Sequence, residues 1–127
     1  MDTSADGVTS DEIKEKLADV QSRADELENR LDHEDLSQMQ MNETSGDLYK
    51  LWDDEINEIW KYLKATLSDA DMQKLTDEQI KWINEKEARI EEEGKEYEGG
   101  SIRPLIENRL GAQLTKDRVY ELIEYVE

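Results

Sequence analysis

The segment QIKWINEKE, residues 79–87, places an amide, an indole, an ammonium and a carboxylate on one short stretch. At helical spacing Gln79, Trp82 and Lys86 share a face, and Glu87 falls off that line. Such a group could orient a polar ligand. It could equally fix the register of two packed helices. Other chemistry-bearing residues are sparse. The one histidine, His33, lies in a charged stretch, where a lone imidazole is more often a surface residue than a base or ligand. Carboxylates are so frequent, as in EEEGKEYEGG, that pairs of them carry little information, and glycoside hydrolysis needs two across a cleft. DHEDLSQMQMNE lacks the central glycine of a calcium loop, and neither a phosphate-binding glycine loop nor a nucleophile elbow occurs. Cysteine is absent, which removes disulfides, thiolate metal sites and cysteine nucleophiles. The expectation is a non-enzymatic protein with no catalytic residue, no metal site and no cofactor.

Charge bounds the partners. The 34 acidic and 16 basic residues give a net charge of -18 over 127 residues. Such a chain repels nucleic-acid phosphates and anionic lipid, and attracts basic proteins. A solvated, solubilising surface explains much of the same charge, and clustered acids imitating nucleic acid are a remote alternative. No stretch is apolar enough to span a bilayer. MDTSADGVTS lacks the basic and apolar regions of a signal peptide.

The elements that must position these residues are helical. Residues 1–9 read as a disordered leader, and residues 10–127 as a single helical domain. Thr9 with Glu12 forms a capping-box pattern, with Ser10 as an alternative cap. Ile13, Leu17, Val20, Ala24, Leu27 and Leu31 then recur in steps of four and three, a narrow heptad-like seam over 10–33. A break falls between Asp32 and Asp47. A second helix runs from Leu48 to Leu67, with Leu48, Trp52, Ile56, Ile59, Leu63 and Leu67 on one face. Ser68 caps a third, which carries Met72, Leu75, Gln79, Trp82, Ile83, Lys86 and Ile90. The short connection makes these two an antiparallel hairpin. Gly94, Gly99 and Gly100 end the third helix. Ser101 caps a short helix stopped by Gly111, and Thr115 caps a last one. No segment alternates with period two, so no strand is expected. The fold class is therefore all-α, a bundle around a long helix hairpin, with an added N-terminal helix and two short C-terminal helices.

The hairpin makes a specific prediction. A turn at Ser68 sets Ile56 and Asn57 opposite Gln79 and Ile80, and Trp52 and Asp53 near Trp82, Ile83 and Lys86. Asn57 and Gln79 would then satisfy each other, and Lys86 would pair with Asp53. Trp52 and Trp82 read as core and Trp60 as flanking. The loop YEGGSIRP is the better candidate for recognition, because loops on rigid scaffolds carry binding. Its partner-binding candidates are Gly99, Gly100, Ser101 and Arg103.

The order of these segments over 48–127 resembles the LprI-like family of lysozyme-inhibiting bacterial lipoproteins. The resemblance is carried by Ile56 and Asn57 with Trp60, by Gln79 and Trp82 with Lys86 and Glu87, by Gly99, Gly100 and Ser101, and by Thr115, Arg118 and Leu122. Lys86 stands where the family usually has arginine, and Glu87 where it often has aspartate. The cysteines of many members are missing, and the helix over 10–33 lies outside the matched core. The resemblance implies a helical, non-catalytic, exported protein, native to a lipid anchor, that binds a basic protein such as lysozyme. The alternative is a structural module that oligomerises or docks through the seam at Ile13–Leu31.

Overall fold

The computed structural model describes residues 7–127. Four α-helices follow in order: α1 (Ser10–His33), α2 (Gln38–Thr66), α3 (Asp69–Lys95) and α4 (Arg103–Leu122). A 3-10 turn at Ile123–Tyr125 closes the chain, and no strand occurs among the described residues. The fold is the all-α bundle that the periodicity predicts. Most of the leader expected over 1–9 lies outside the described residues. Its last part is tied down, since Val8 packs against the core and Thr9 caps α1.

Local signals set the helix starts. The Thr9 hydroxyl accepts from the Glu12 amide at 3.2 Å, and the Glu12 carboxylate accepts from the Thr9 amide at 2.9 Å. The Ser68 hydroxyl accepts from the Asp71 amide at 3.2 Å at the start of α3. A further capping box at Ser37 and Gln40 begins α2. The break after α1 is therefore confined to residues 34–37, and α2 begins at Gln38 rather than Leu48. NETSGD is helical despite its turn-like composition because it faces α4. Thr44 and Ser45 are buried, and the Ser45 hydroxyl donates back to the Asn42 carbonyl at 3.0 Å.

The C-terminal region is one helix and a turn, not two short helices. α4 passes through Gly111 without a break, and Thr115 sits inside it, fully buried, rather than at a cap. A glycine inside a helix costs only about 1 kcal/mol. Here its missing side chain lets the Tyr49 ring lie against the helix: a Cβ on Gly111 would be 2.6 Å from ring atoms of Tyr49. Ser101 does not cap α4 either. The N-cap is Ile102, with no side-chain hydrogen bond and Pro104 in the first turn.

The long, unbroken α4 changes the packing. Its main partner is α2, and it also packs on α3, while α1 packs on α2 and reaches α4 through Gln21–Tyr120 and Asp32–Arg109. α2 and α3 are joined by Leu67 and Ser68 and run antiparallel, with Lys86 of α3 reaching Tyr49 of α2, and α4 packs against both. The core draws on Ile13, Leu17, Val20 and Ala24 of α1, on Trp52, Ile56, Ile59 and Leu63 of α2, and on Val119 and Leu122 of α4. From α3 only Leu75 is a buried hydrophobic. Ile83, expected on the inner face, is exposed, as is Ile80. The seam of α1 packs within the chain through Ile13, Leu17, Val20, Ala24 and Leu31, with Leu27 partly buried.

Candidate functional site

The polar groups of the QIKWINEKE segment meet α4 and the first half of α2. Arg118 is buried on α4. Its Nε donates to Gln79 Oε1 at 2.7 Å, its Nη1 donates to Glu121 Oε1 at 2.9 Å, and Glu78 Oε1 lies 3.8 Å from Nη2. One guanidinium thus ties α3 to α4 with charge-assisted bonds of defined geometry. Two turns further along α3, Lys86 Nζ donates to the Tyr49 hydroxyl at 3.0 Å and lies 5.1 Å from the Trp82 ring.

These contacts keep the antiparallel register but correct its polar partners. Gln79 binds Arg118, not Asn57, which is exposed on α2. Lys86 binds Tyr49, not Asp53, which is also exposed. The reason is that α4 brings Arg118 to Gln79 at 2.7 Å, a charge-assisted bond that outcompetes a neutral amide pair, while Asn57 faces solvent. Ile56, Thr115 and Leu122 are buried, Trp60 and Trp82 partly buried, and Glu87 exposed. Trp52 is 1% exposed and its ring lies 6.2 Å from that of Tyr120, tilted by 56°.

The glycine loop lies at the far end of α3. Successive turns run from Gly94 to Arg103, with the Tyr97 amide donating to Gly94, Gly100 to Tyr97, and Arg103 to Gly100. Gly99 has φ +81°, a conformation that side-chain-bearing residues rarely adopt. Two contacts hold the C-terminal end of the loop. Asn42 Nδ2 of α2 donates to the Ser101 carbonyl at 3.0 Å, and Arg103 Nε donates to Glu107 Oε2 at 3.0 Å. Asn108 supports the same corner through a bond of 3.2 Å to the Ser45 hydroxyl. Gly99, Gly100 and Ser101 are exposed, and so are Tyr97 and Ile102. Glu91, Glu92, Glu93, Glu96 and Glu98 surround them, all exposed.

One buried charged group was not singled out in the sequence. Glu55 is 2% exposed, and neither carboxylate oxygen has a hydrogen-bond partner. Burial pushes its carboxyl up to about 7; Lys16 opposes that shift and Glu58 adds to it. Its position, three residues after Trp52 and four before Ile59, places it on the apolar face of α2 and was the available signal. Arg118 carries the same signal beside Thr115, Val119 and Leu122. Thr115 Oγ1 is also buried without a partner. Thr115→Val, which keeps the shape and removes the orphan hydroxyl, is therefore expected to leave stability unchanged or raise it by about 1 kcal/mol in urea unfolding. A clear loss would assign the hydroxyl a partner.

No group of three or more His, Asp or Glu placed to hold a metal ion occurs among the described residues. No described helix is long and apolar enough to cross a membrane. What fold and site define together is an acidic helical scaffold: a polar, arginine-centred seam holds the helices, and a fixed glycine loop stands at one end. The chain belongs to the lysozyme inhibitor LprI family, whose match spans residues 32–122 and so takes in α2, α3 and α4. An uncharacterized protein of Rhizobium meliloti (strain 1021) is 28% identical over 105 residues, covering 72% of this chain and 76% of that protein. No solved structure matches the chain.

Proposed function

We propose that this protein is an exported, non-enzymatic binding protein of the cell envelope that inhibits lysozyme or a similarly basic hydrolase. The family match over 32–122 carries the reading. The net charge of -18 supports it, because complementary charge speeds encounter with a basic enzyme and makes the complex salt-sensitive. An inhibitor must also occlude a cleft. The loop around Gly99, Gly100 and Ser101 suits that task. It offers Tyr97 and Ile102 as apolar contacts among carboxylates, and its anchored C-terminal end reduces the ordering cost of binding. Arg103, bonded to Glu107 and partly exposed, stands beside these groups as a polar contact. The chain from residue 10 onward acts as one helical domain in this reading.

The test is lysozyme turbidity clearance at physiological salt. Micromolar excess of the protein is expected to slow clearing, with less effect as salt rises. Absence of inhibition sinks the proposal. The double variant Tyr97→Ala, Ile102→Ala is expected to weaken inhibition about tenfold or more without changing thermal stability, since both side chains are exposed. Unchanged inhibition would move the binding surface away from the loop.

A further inference from the structure

α1 differs from the rest of the fold in two respects. All but its last two residues lie outside the family match, and it closes over the least satisfied polar group of the interior. Glu55 projects from α2 where α1 and α4 meet it, buried, with both carboxylate oxygens unpartnered. Gln21, the α1 residue that meets α4 here, is already committed. Its Nε2 donates to Asp25 Oδ1 at 2.8 Å, and its Oε1 accepts from the Tyr120 hydroxyl at 2.7 Å. The charged and titratable groups facing this site are Lys16 from α1, Glu58 from α2 and Tyr120 from α4, with Asp25 of α1 acting on Tyr120. Lys16 alone favours an ionised Glu55. It is exposed and makes no hydrogen bond to the carboxylate. A buried anion without donors is strongly disfavoured, whereas a neutral carboxylic acid is tolerated.

We propose that α1 is a proton-dependent cover on the α2–α4 core: it lies closed over neutral Glu55, and loss of that proton releases α1 while α2, α3 and α4 stay folded. Displacing α1 returns Glu55 to water, where its ordinary value is 4.5; beneath α1 burial raises it to about 7. The closed state thus holds its proton more tightly. Its advantage is full below pH 4.5, declines as pH rises, and is lost as pH passes through 7. The face uncovered includes Trp52, and the released helix presents the Ile13–Leu31 seam. This device stands independently of any lysozyme inhibition.

Amide protection factors of the full chain at pH 5 and pH 8 test it. Protection along α1 is expected to fall on the order of 100-fold relative to α2–α4 in the wild type, and to stay level in Glu55→Gln, which keeps the shape but cannot ionise. An NMR titration of the Glu55 carboxyl is expected to show a midpoint near 7, and Lys16→Gln, an exposed change, to move it upward. A Glu55 midpoint near 4.5, pH-independent α1 protection, or an equal fall in all helices overturns the proposal.

Discussion

Trp52→Ala is expected to lower the stability of the protein by about 4 kcal/mol, against about 1–2 kcal/mol for Trp82→Ala. The two indoles look equivalent in the sequence, each set among isoleucines on a helix of the hairpin. Their surroundings differ. Trp52 is 1% exposed, and α1 and α4 both reach it: Glu28 and Ala112 line the same small cavity, and Tyr120 packs on it at 6.2 Å. Truncation there removes a large apolar surface and leaves a void that three helices must collapse to fill, the costly case for a large-to-small change. Trp82 is only partly buried, with the Lys86 ammonium 5.1 Å from its ring. Its removal forfeits partial burial and one cation–π contact, and water can enter the space. Urea unfolding followed by far-ultraviolet circular dichroism checks the contrast, with the midpoint falling far more for Trp52→Ala at similar slope. Equal losses would mean that α3 packs more tightly than its single large buried residue, Leu75, indicates.

That contrast marks how far the sequence could be read. Features set within a few residues were legible: the capping box at Thr9 and Glu12, the seam of α1, the Ser68 cap and the apolar face of α2 from Leu48 onward. Each depends on local hydrogen bonds or on helical spacing alone. The order of helices in space was not, because it turned on Gly111 and Thr115. Both carry the local signature of a boundary, and both are helical because α2 supplies a tertiary reason. Once α4 is continuous it packs against both α2 and α3, and the two polar pairs inferred from a turn at Ser68 change partner, Gln79 to Arg118 and Lys86 to Tyr49. Gln79 and Lys86 were correctly placed on one inward face, but the face meets Arg118 and Tyr49. Hence QIKWINEKE bears helix-to-helix bonds in this fold. The loop at Gly99–Ser101 was visible as a glycine cluster, whereas its anchor, Asn42, lies 59 positions away in the chain. Glu55 shows a different limit: its acidity hid it within a run of surface acids, although its spacing placed it on the apolar face.

Gly111→Val is expected to cost about 3 kcal/mol, and Gly111→Ala about 1–2 kcal/mol, although both replacements improve helix propensity. The opposing term is contact with Tyr49. A Cβ at Gly111 would stand 2.6 Å from Tyr49 Cε2 and Cζ and 3.0 Å from Cδ2, well inside van der Waals contact. The ring cannot simply turn away, because its hydroxyl accepts from Lys86 and the ammonium lies 5.3 Å from the ring centre. Moving Tyr49 therefore disturbs the α3 contact as well as the α2–α4 approach. Valine adds two methyl groups to a position where one already collides, which is why its cost is larger. A double-mutant cycle separates this clash from other effects of the substitution. In a Tyr49→Ala background the obstacle is gone, and Gly111→Ala should become neutral or stabilising by up to about 1 kcal/mol, the ordinary gain of alanine over glycine in a helix. The coupling between the two sites is then about 2 kcal/mol. Additive losses would show instead that Gly111 is needed for its backbone, not for the room it leaves for the ring.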